Sequence, residues 1–539
     1  MKIVGGTLQR SALSVFLYGI AIAMPVHQSF AQDAPSPPPS SSGGRLVDVN
    51  EYRVLGNTLL KPIEIERTVY PYLGRQPLND VEKARAALEK EYADLGYQAV
   101  IVTLPPQTVK GGVIILQVTE AQVGNLTISG QRFTTEQEIL RGVPSLQTGS
   151  SPNFNDVNRE VVALNSQSAD IEVTPQLKAG SQPDHIDVDL AVADKRPLHG
   201  GLELNNNYSR DTDPLRVQAN VSYGDLWHLG HSISAYYDVS PQNRTDAEVY
   251  VLTYSAPIPG TDARLSLTGL KSDSDVTTVG STGVLGKGQS VTLNGFLPLP
   301  ALGGVGQDFQ LGFAYKHFID TITLPGQSDS TPITYYPLSL AYDAHYTTDL
   351  SQVSLSGAMN FAFRGLGSSS QEYDNKRYRA FGNFIYFHGQ GSLQRELPYG
   401  LQAYFEADGQ ISNEPLISNE QFAAGGNGSV RGYLQAEILG DSGYHLSAEL
   451  RAPDLAPYLG HGKWFDTLRL LAFVDGARTW LQSPLPDQES AFRLLSVGPG
   501  IRTKVKFVNF DADWGFPLVT SDSTRSGHSR FQFRLYTQF

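Results

Sequence analysis

Between residues 198 and 539, apolar and polar side chains alternate with a period of two. Over 214–224, Leu215, Val217, Ala219, Val221 and Tyr223 share one face, and Arg216, Gln218, Asn220 and Ser222 share the other. Over 399–412, Leu401, Ala403, Phe405, Ala407 and Ile411 oppose Gln402, Glu406, Asp408 and Gln410. The last segment repeats this, with Phe531, Phe533, Leu535 and Phe539 against Gln532, Arg534 and Gln538. Side chains of a strand point alternately to its two faces, so each segment reads as a strand. Such segments begin near residues 200, 214, 231, 246, 263, 289, 308, 334, 351, 377, 399, 444, 468, 492, 505 and 529. They predict about sixteen antiparallel strands, with no helix in this half. A soluble sandwich also alternates. Strands of about ten residues with charged faces, repeated over the whole half and ending on an aromatic, instead predict a closed transmembrane β-barrel. A sheet in lipid has to pair all its edges. Sixteen strands enclose a lumen wide enough for an aqueous channel.

Upstream the period changes. Residues 47–55 read as a strand ending at the Gly56-Asn57 turn, and Pro62 opens a helical stretch carrying Ile63, Ile65 and Val69. Val81, Ala84, Ala87, Leu88, Tyr92 and Leu95 recur at helical spacing, with Asn79 or Asp80 as the cap and Gly96 as the stop. Strands are expected over 99–104 and 112–119, joined through Pro105-Pro106-Gln107. The same βααββ order returns from Gly124, with a strand over 126–129, helices over 135–141 and 156–165, and strands over 170–177 and 185–193. The last of these sets Ile186, Val188, Leu190 and Val192 against Asp187, Asp189 and Ala191. Units over 45–123 and 124–197 are therefore a repeat of two small α+β domains ahead of the all-β half.

Composition adds a compartment. Lys2 and Arg10 give a positive stretch ahead of a largely apolar run over 11–26, and Ser29-Phe30-Ala31 places small residues at a cleavage position, so 1–31 reads as a secretory signal. Residues 32–44 are rich in Pro, Ser and Gly and read as a linker. No later apolar run reaches the roughly 18 residues of a membrane helix. A formal charge of −13 with no basic patch argues against a nucleic-acid partner. The lack of cysteine fits an exported protein and excludes thiolate catalysis. No serine sits in a Gly-x-Ser-x-Gly elbow, Gly286-Lys287 lacks the rest of a phosphate-binding loop, and the 11 histidines show no metal spacing. No enzyme activity, metal or cofactor is expected.

One stretch breaks the alternation. Gly425-Gly426-Asn427-Gly428-Ser429-Val430-Arg431-Gly432-Tyr433 offers a strand nothing to pack and reads as part of a long loop, 413–443, between the eleventh and twelfth strands. Its plain reading is a surface loop with a solvated arginine. In the thirteenth strand, Leu468, Leu470, Ala472 and Val474 make an apolar face, which turns Arg469, Phe473 and Asp475 inward. If the loop folds back into the lumen, Arg431 can meet Asp475, and a planar guanidinium pairs bidentately with a carboxylate.

Val430-Arg431-Gly432-Tyr433 matches the loop motif of the POTRA-barrel superfamily, which includes the BamA-type assembly proteins, and Phe473-Val474-Asp475-Gly476 matches its second motif. The two βααββ units resemble periplasmic POTRA domains. Leu164-Asn165 and the run over 177–192 are similar to those of the outer-membrane two-partner secretion transporters, the ShlB/FhaC/HecB kind, and the resemblance covers nearly all of the chain beyond the signal. It implies α+β POTRA repeats in the periplasm followed by a barrel in the outer membrane, in contact with its lipid. It implies a pore-loop or gating role for Val430, Arg431, Gly432, Tyr433, Phe473, Asp475 and Gly476. It also implies a large secreted exoprotein of the haemolysin or adhesin type, bound by the POTRA domains and exported without nucleotide. Phe539 is expected to belong to the signal read by the barrel assembly machinery. The alternative is a factor that inserts other barrels, but such proteins usually carry more POTRA units; a passive porin explains neither the POTRA pair nor the loop. Many two-partner transporters also begin with a helix that plugs the pore. Only the Pro-rich 32–44 is available here, so no plug helix is expected and the inserted loop is expected to be the main obstruction.

Overall fold

The computed structural model describes residues 46–539 apart from 169, 183, 275, 280–281, 325–326 and 460–464; the signal expected over 1–31 and the linker over 32–44 lie outside the described residues. The chain divides into two compact units, one reaching Lys90 and including Val102–Val118, the other made of Glu91–Ile101 and Thr119–Phe539.

The first small domain runs Glu51–Leu55 (strand), Pro62–Val69 and Leu78–Asp94 (helices), then Val100–Thr103 and Val113–Glu120 (strands). Glu51–Leu55 pairs parallel with Val113–Glu120, which lies at the centre of the sheet. Val81, Ala84, Leu88 and Tyr92 are the buried stripe of the long helix, and Leu95, beyond its end, is exposed. The helix begins at Leu78, so Asn79 and Asp80 do not cap it but lie in its first turn, where an acid suits the helix dipole. A strand pair that alternation did not reveal joins Leu46–Val49 to Gly74–Pro77.

The second domain repeats the topology. Gln122–Ser129 pairs parallel with the central His185–Asp194, and Ile171–Ala179 pairs antiparallel with it on the other side. The helices Glu136–Gly142, N-capped by Thr135, and Phe154–Gln167 cover one face. Ile139, Val161, Leu164, Val173 and Leu190 form the core between the two layers.

From Leu198 onward sixteen strands close into one antiparallel barrel. Its exposure pattern decides between barrel and sandwich. In the eleventh strand, Gln402–Ser412, Phe405 is 51% and Ile411 64% exposed, while Gln402 and Gln410 are only 7% and 8% exposed. Apolar residues outside and polar residues inside are the reverse of a soluble core and the arrangement that suits lipid. The first strand, Leu198–Asn205, meets the last, Arg530–Gln538, in a short seam running from Arg534↔Asn205 to Gln538↔Gly201. The eighth strand is broken into Gln327–Tyr335 and Leu338–Thr347, each pairing with a different part of the long seventh strand Val305–Leu324. Pro337, at the break, has no N–H to give the ladder.

Two expectations are corrected here. The half is not free of helix: Ser370–Lys376 is helical, closed by a capping box in which Ser369 and Glu372 each accept the other's backbone N–H. That helix stops at Lys376, just before the strand expected from 377; residues 377–384 form turns and irregular backbone, and the tenth strand begins instead at Ile385.

A luminal loop anchored at both ends

The segment between the eleventh strand and the twelfth, Ser442–Arg451, folds into the barrel, and its glycines allow the reversal. Arg431 reaches a wall of charged residues. Its Nε lies 2.7 Å from Asp475 Oδ2 and its second terminal nitrogen 2.7 Å from Asp475 Oδ1, a bidentate pair. Its backbone N–H also donates to Asp475, at 3.1 Å. The other terminal nitrogen bonds Glu449 and stands 3.6 Å from Asp513. Ser447 bridges guanidinium and carboxylate, accepting from Arg431 at 3.2 Å and donating to Asp475 at 2.7 Å. Beneath them the guanidinium lies 3.7 Å from the centre of the Phe473 ring. Arg431 is 4% and Asp475 0% exposed, so this is a buried ion cluster and not a pair in open water. Arg502 and Arg451 supply the remaining positive charge, at 3.0 Å from Asp513 and 2.7 Å from Glu449.

The neighbours of Arg431 explain the rest of the motif. Gly432 has φ +90 and lies against Gly515 of the fifteenth strand; a Cβ at either would meet the other's backbone at 3.0 Å or closer. Only glycine permits both that φ and that approach. The Gly432 N–H donates to Gln532 in the last strand at 2.9 Å. Val430 and Tyr433 are fully buried in a cluster with Phe422, Ile438, Ala477 and Leu494. The Tyr433 hydroxyl donates to the Val519 carbonyl at 2.7 Å. On the other side of the seam, Gln435 N–H donates to the Tyr208 carbonyl at 3.0 Å. The tip thus holds groups from both sides of the barrel's closure.

The stem is anchored elsewhere, by residues that alternation and motif did not single out. Glu420 is buried and accepts from the Lys316 ammonium at 2.6 Å, from the Tyr335 hydroxyl at 2.5 Å and from the Tyr386 hydroxyl at 2.7 Å. Asp441 pins the base of the loop, accepting the backbone N–H of Leu416 at 2.9 Å and of Gln482 at 2.6 Å. Glu437 ties it to the last long loop, accepting from Ser523 N–H at 3.2 Å. Glu420 leans on the seventh, eighth and tenth strands, Arg431 on the twelfth, thirteenth and fifteenth, so the loop crosses the lumen between two parts of the wall. The available signal for these anchors was that they are three of the four acids, with Glu414, in the loop over 413–443. Glu420→Gln should leave Lys316 without its counter-charge and loosen the stem by about 1–3 kcal/mol. Hydrogen exchange at residues 416–421 should quicken at unchanged barrel abundance; unchanged protection there would show that Glu420 is not an anchor.

Of the residues expected at the site, Val430, Arg431, Gly432, Tyr433, Phe473 and Asp475 come together. Gly476 does not join them. It faces the outer wall, where an added Cβ would meet only ordinary contacts such as Leu495 at 3.5 Å. Leu468 is buried rather than on the outer face. Phe539 extends the seam: its N–H donates to the Gly200 carbonyl at 3.0 Å and its carbonyl accepts from Gly200 at 3.1 Å.

Comparison with known proteins adds a family. Residues 184–503 match the profile of the haemolysin secretion/activation protein ShlB/FhaC/HecB, which is more than half of the chain. The chain belongs to that family. Residues 47–121 match the ShlB-type POTRA domain. The outer membrane transporter CdiB of Escherichia coli is 24% identical over 94% of this chain and 85% of its own length. That of Dickeya dadantii is 23% identical over 88% and 83%. Among solved structures, CdiB from E. coli superposes with a TM-score of 0.66 at 20% identity, covering 93% of each chain. BamA from Haemophilus ducreyi, lacking its first three POTRA domains, superposes with a TM-score of 0.55 at 16% identity, covering 91% of this chain and 100% of its own. Both establish the same fold: POTRA domain, then closed barrel. This member of the family is an outer-membrane barrel with its POTRA domains in the periplasm.

Proposed function

We propose that this chain is the transporter half of a two-partner secretion system, moving one large exoprotein through its barrel from periplasm to exterior without nucleotide. The observation that carries this reading is the loop crossing the lumen, held by a buried ion cluster at one wall and by Glu420 at the other. A channel that must stay closed until cargo arrives needs an obstruction that is ordered yet bound by reversible contacts, and hydrogen-bonded charge clusters supply that. The POTRA domains would receive the cargo. Each sheet ends in strands with an open edge, and an extended segment can add to such an edge by main-chain hydrogen bonds. Barrel assembly machinery would act on the chain only during its own biogenesis, reading a terminal signal that includes Phe539. The test is export in a host lacking both proteins. A large secreted protein encoded beside this chain should reach the medium only when the chain is present, and other outer-membrane barrels should assemble normally without it. Loss of other barrels in its absence would favour an insertion factor instead.

A further inference from the structure

Away from the lumen, three side chains from two domains converge. Glu138 lies in the helix Glu136–Gly142 of the second periplasmic domain. Asp225 is the last residue but one of the second barrel strand, Arg216–Leu226, and His228 follows in the turn to His231–Val239. His228 Nδ1 is 3.0 Å from Asp225 Oδ2 and 3.7 Å from Glu138 Oε2, and all three donor atoms lie within 4.8 Å of one another. The carboxylates are 14% and 15% exposed, and Glu138 Oε2 is buried without any hydrogen-bond partner. Two carboxylates are thus brought together with an imidazole nitrogen and an oxygen left unsatisfied, although such an atom normally finds a partner.

We propose that Glu138, Asp225 and His228 form a site for a divalent transition-metal ion of the zinc class that fastens the second periplasmic domain to the rim of the barrel. Ligands about 2.1 Å from a shared ion stand roughly 3.0–3.4 Å from one another, so the spacings found need little adjustment. One imidazole with two carboxylates is a borderline donor set. Calcium and magnesium prefer oxygen alone, and soft ions prefer sulfur. The ion would neutralise both carboxylates and occupy the free Glu138 oxygen. The Arg141 guanidinium, which donates to the His228 carbonyl at 3.0 Å, already links the same helix to the same turn, so the metal would rigidify a contact and not create one. Asp225 and His228 are three residues apart, but Glu138 lies in another domain, too far away in sequence for spacing to reveal the set. The proposal stands on this cluster and is independent of the transport reading.

The test uses the full chain in detergent micelles with Co²⁺ as a visible probe and Zn²⁺ as competitor. Wild type should bind about one Co²⁺ per chain, displaced by Zn²⁺, while His228→Ala and Glu138→Gln should each weaken binding by at least about tenfold. Heat-modifiability of the barrel serves as the folding control. Spin labels on the second domain and on the barrel rim should give a distance distribution that narrows with Zn²⁺ in wild type and stays broad in both variants. Equal Co²⁺ binding by wild type and variants would overturn the site. So would a distribution that responds to pH but not to Zn²⁺, which would assign the cluster to a shared proton.

Discussion

Arg431→Ala is expected to cut export of the partner protein by at least about tenfold while the barrel is made and inserted at normal abundance. Removing the guanidinium leaves Asp475, Glu449 and Asp513 facing one another with only Arg502 and Arg451 to offset them. Breaking a buried pair by deleting one partner costs about 3–5 kcal/mol, and the burial of Arg431 and Asp475 argues for the full figure. About 1.4 kcal/mol corresponds to a factor of ten, so the anchored tip becomes a minor population. The strands themselves are untouched, because the ladder hydrogen bonds that close the barrel do not involve the loop. A detached tip, still tethered by Glu420 and Asp441, remains in the lumen without a defined position and obstructs the path in a way cargo cannot clear. Asp475→Ala should be milder, since Glu449 and Asp513 still hold Arg431. Restoring charge as Arg431→Lys should rescue only in part, because an ammonium cannot make the two parallel bonds to Asp475. Export in the culture medium, normalised to heat-modifiable barrel, reads these effects. Normal export by Arg431→Ala would remove the ion cluster from the mechanism.

Deleting residues 45–197 is expected to abolish cargo binding while the barrel still assembles. The first domain's sheet is complete within its own βααββ unit, and so is the second's; neither supplies a strand to the barrel. The barrel loses contacts at its rim, such as His199 to Asp170 at 2.8 Å and the Gly224 N–H donated to the Pro197 carbonyl at 2.8 Å, but none of its strands. Cargo recognition by strand addition, in contrast, loses every sheet edge available to it in the periplasm. Pull-down of the cargo's amino-terminal region by the full chain and by the deletion variant gives the comparison. Undiminished binding or export by the variant would place recognition in the barrel.

Much of this was legible from residue order because a barrel writes its two faces directly into the chain. Leu401 to Ile411 and Phe531 to Phe539 alternate cleanly, and parity alone turned Phe473 and Asp475 inward. The repeat of the small domains was legible for the same reason: helix and strand periods succeeded each other twice in one order. What failed had physical causes. The helix Ser370–Lys376 carries a single buried side chain, Tyr373, so it shows no apolar stripe; its stability comes from the Ser369–Glu372 cap. The partners of Arg431 were half visible. Glu449 and Asp513 sit at inward positions of alternating strands, but parity cannot tell which inward charges a loop from elsewhere will meet. Glu420 depends on strands far away in the chain, and nothing local distinguishes it from the other acids of the loop. Nor is Arg431 the solvated arginine of a plain surface loop, because the loop and the wall together exclude solvent from Arg431 and Asp475.

The most direct test of a luminal loop held by this ion pair is a double-mutant cycle on export, using Arg431→Ala, Asp475→Ala and both together, with barrel abundance as control. The account predicts that the double variant is little worse than Arg431→Ala alone, since both changes break one contact. Losses that simply add would contradict it, because Arg431 and Asp475 would then act separately and the pair would not be what holds the loop.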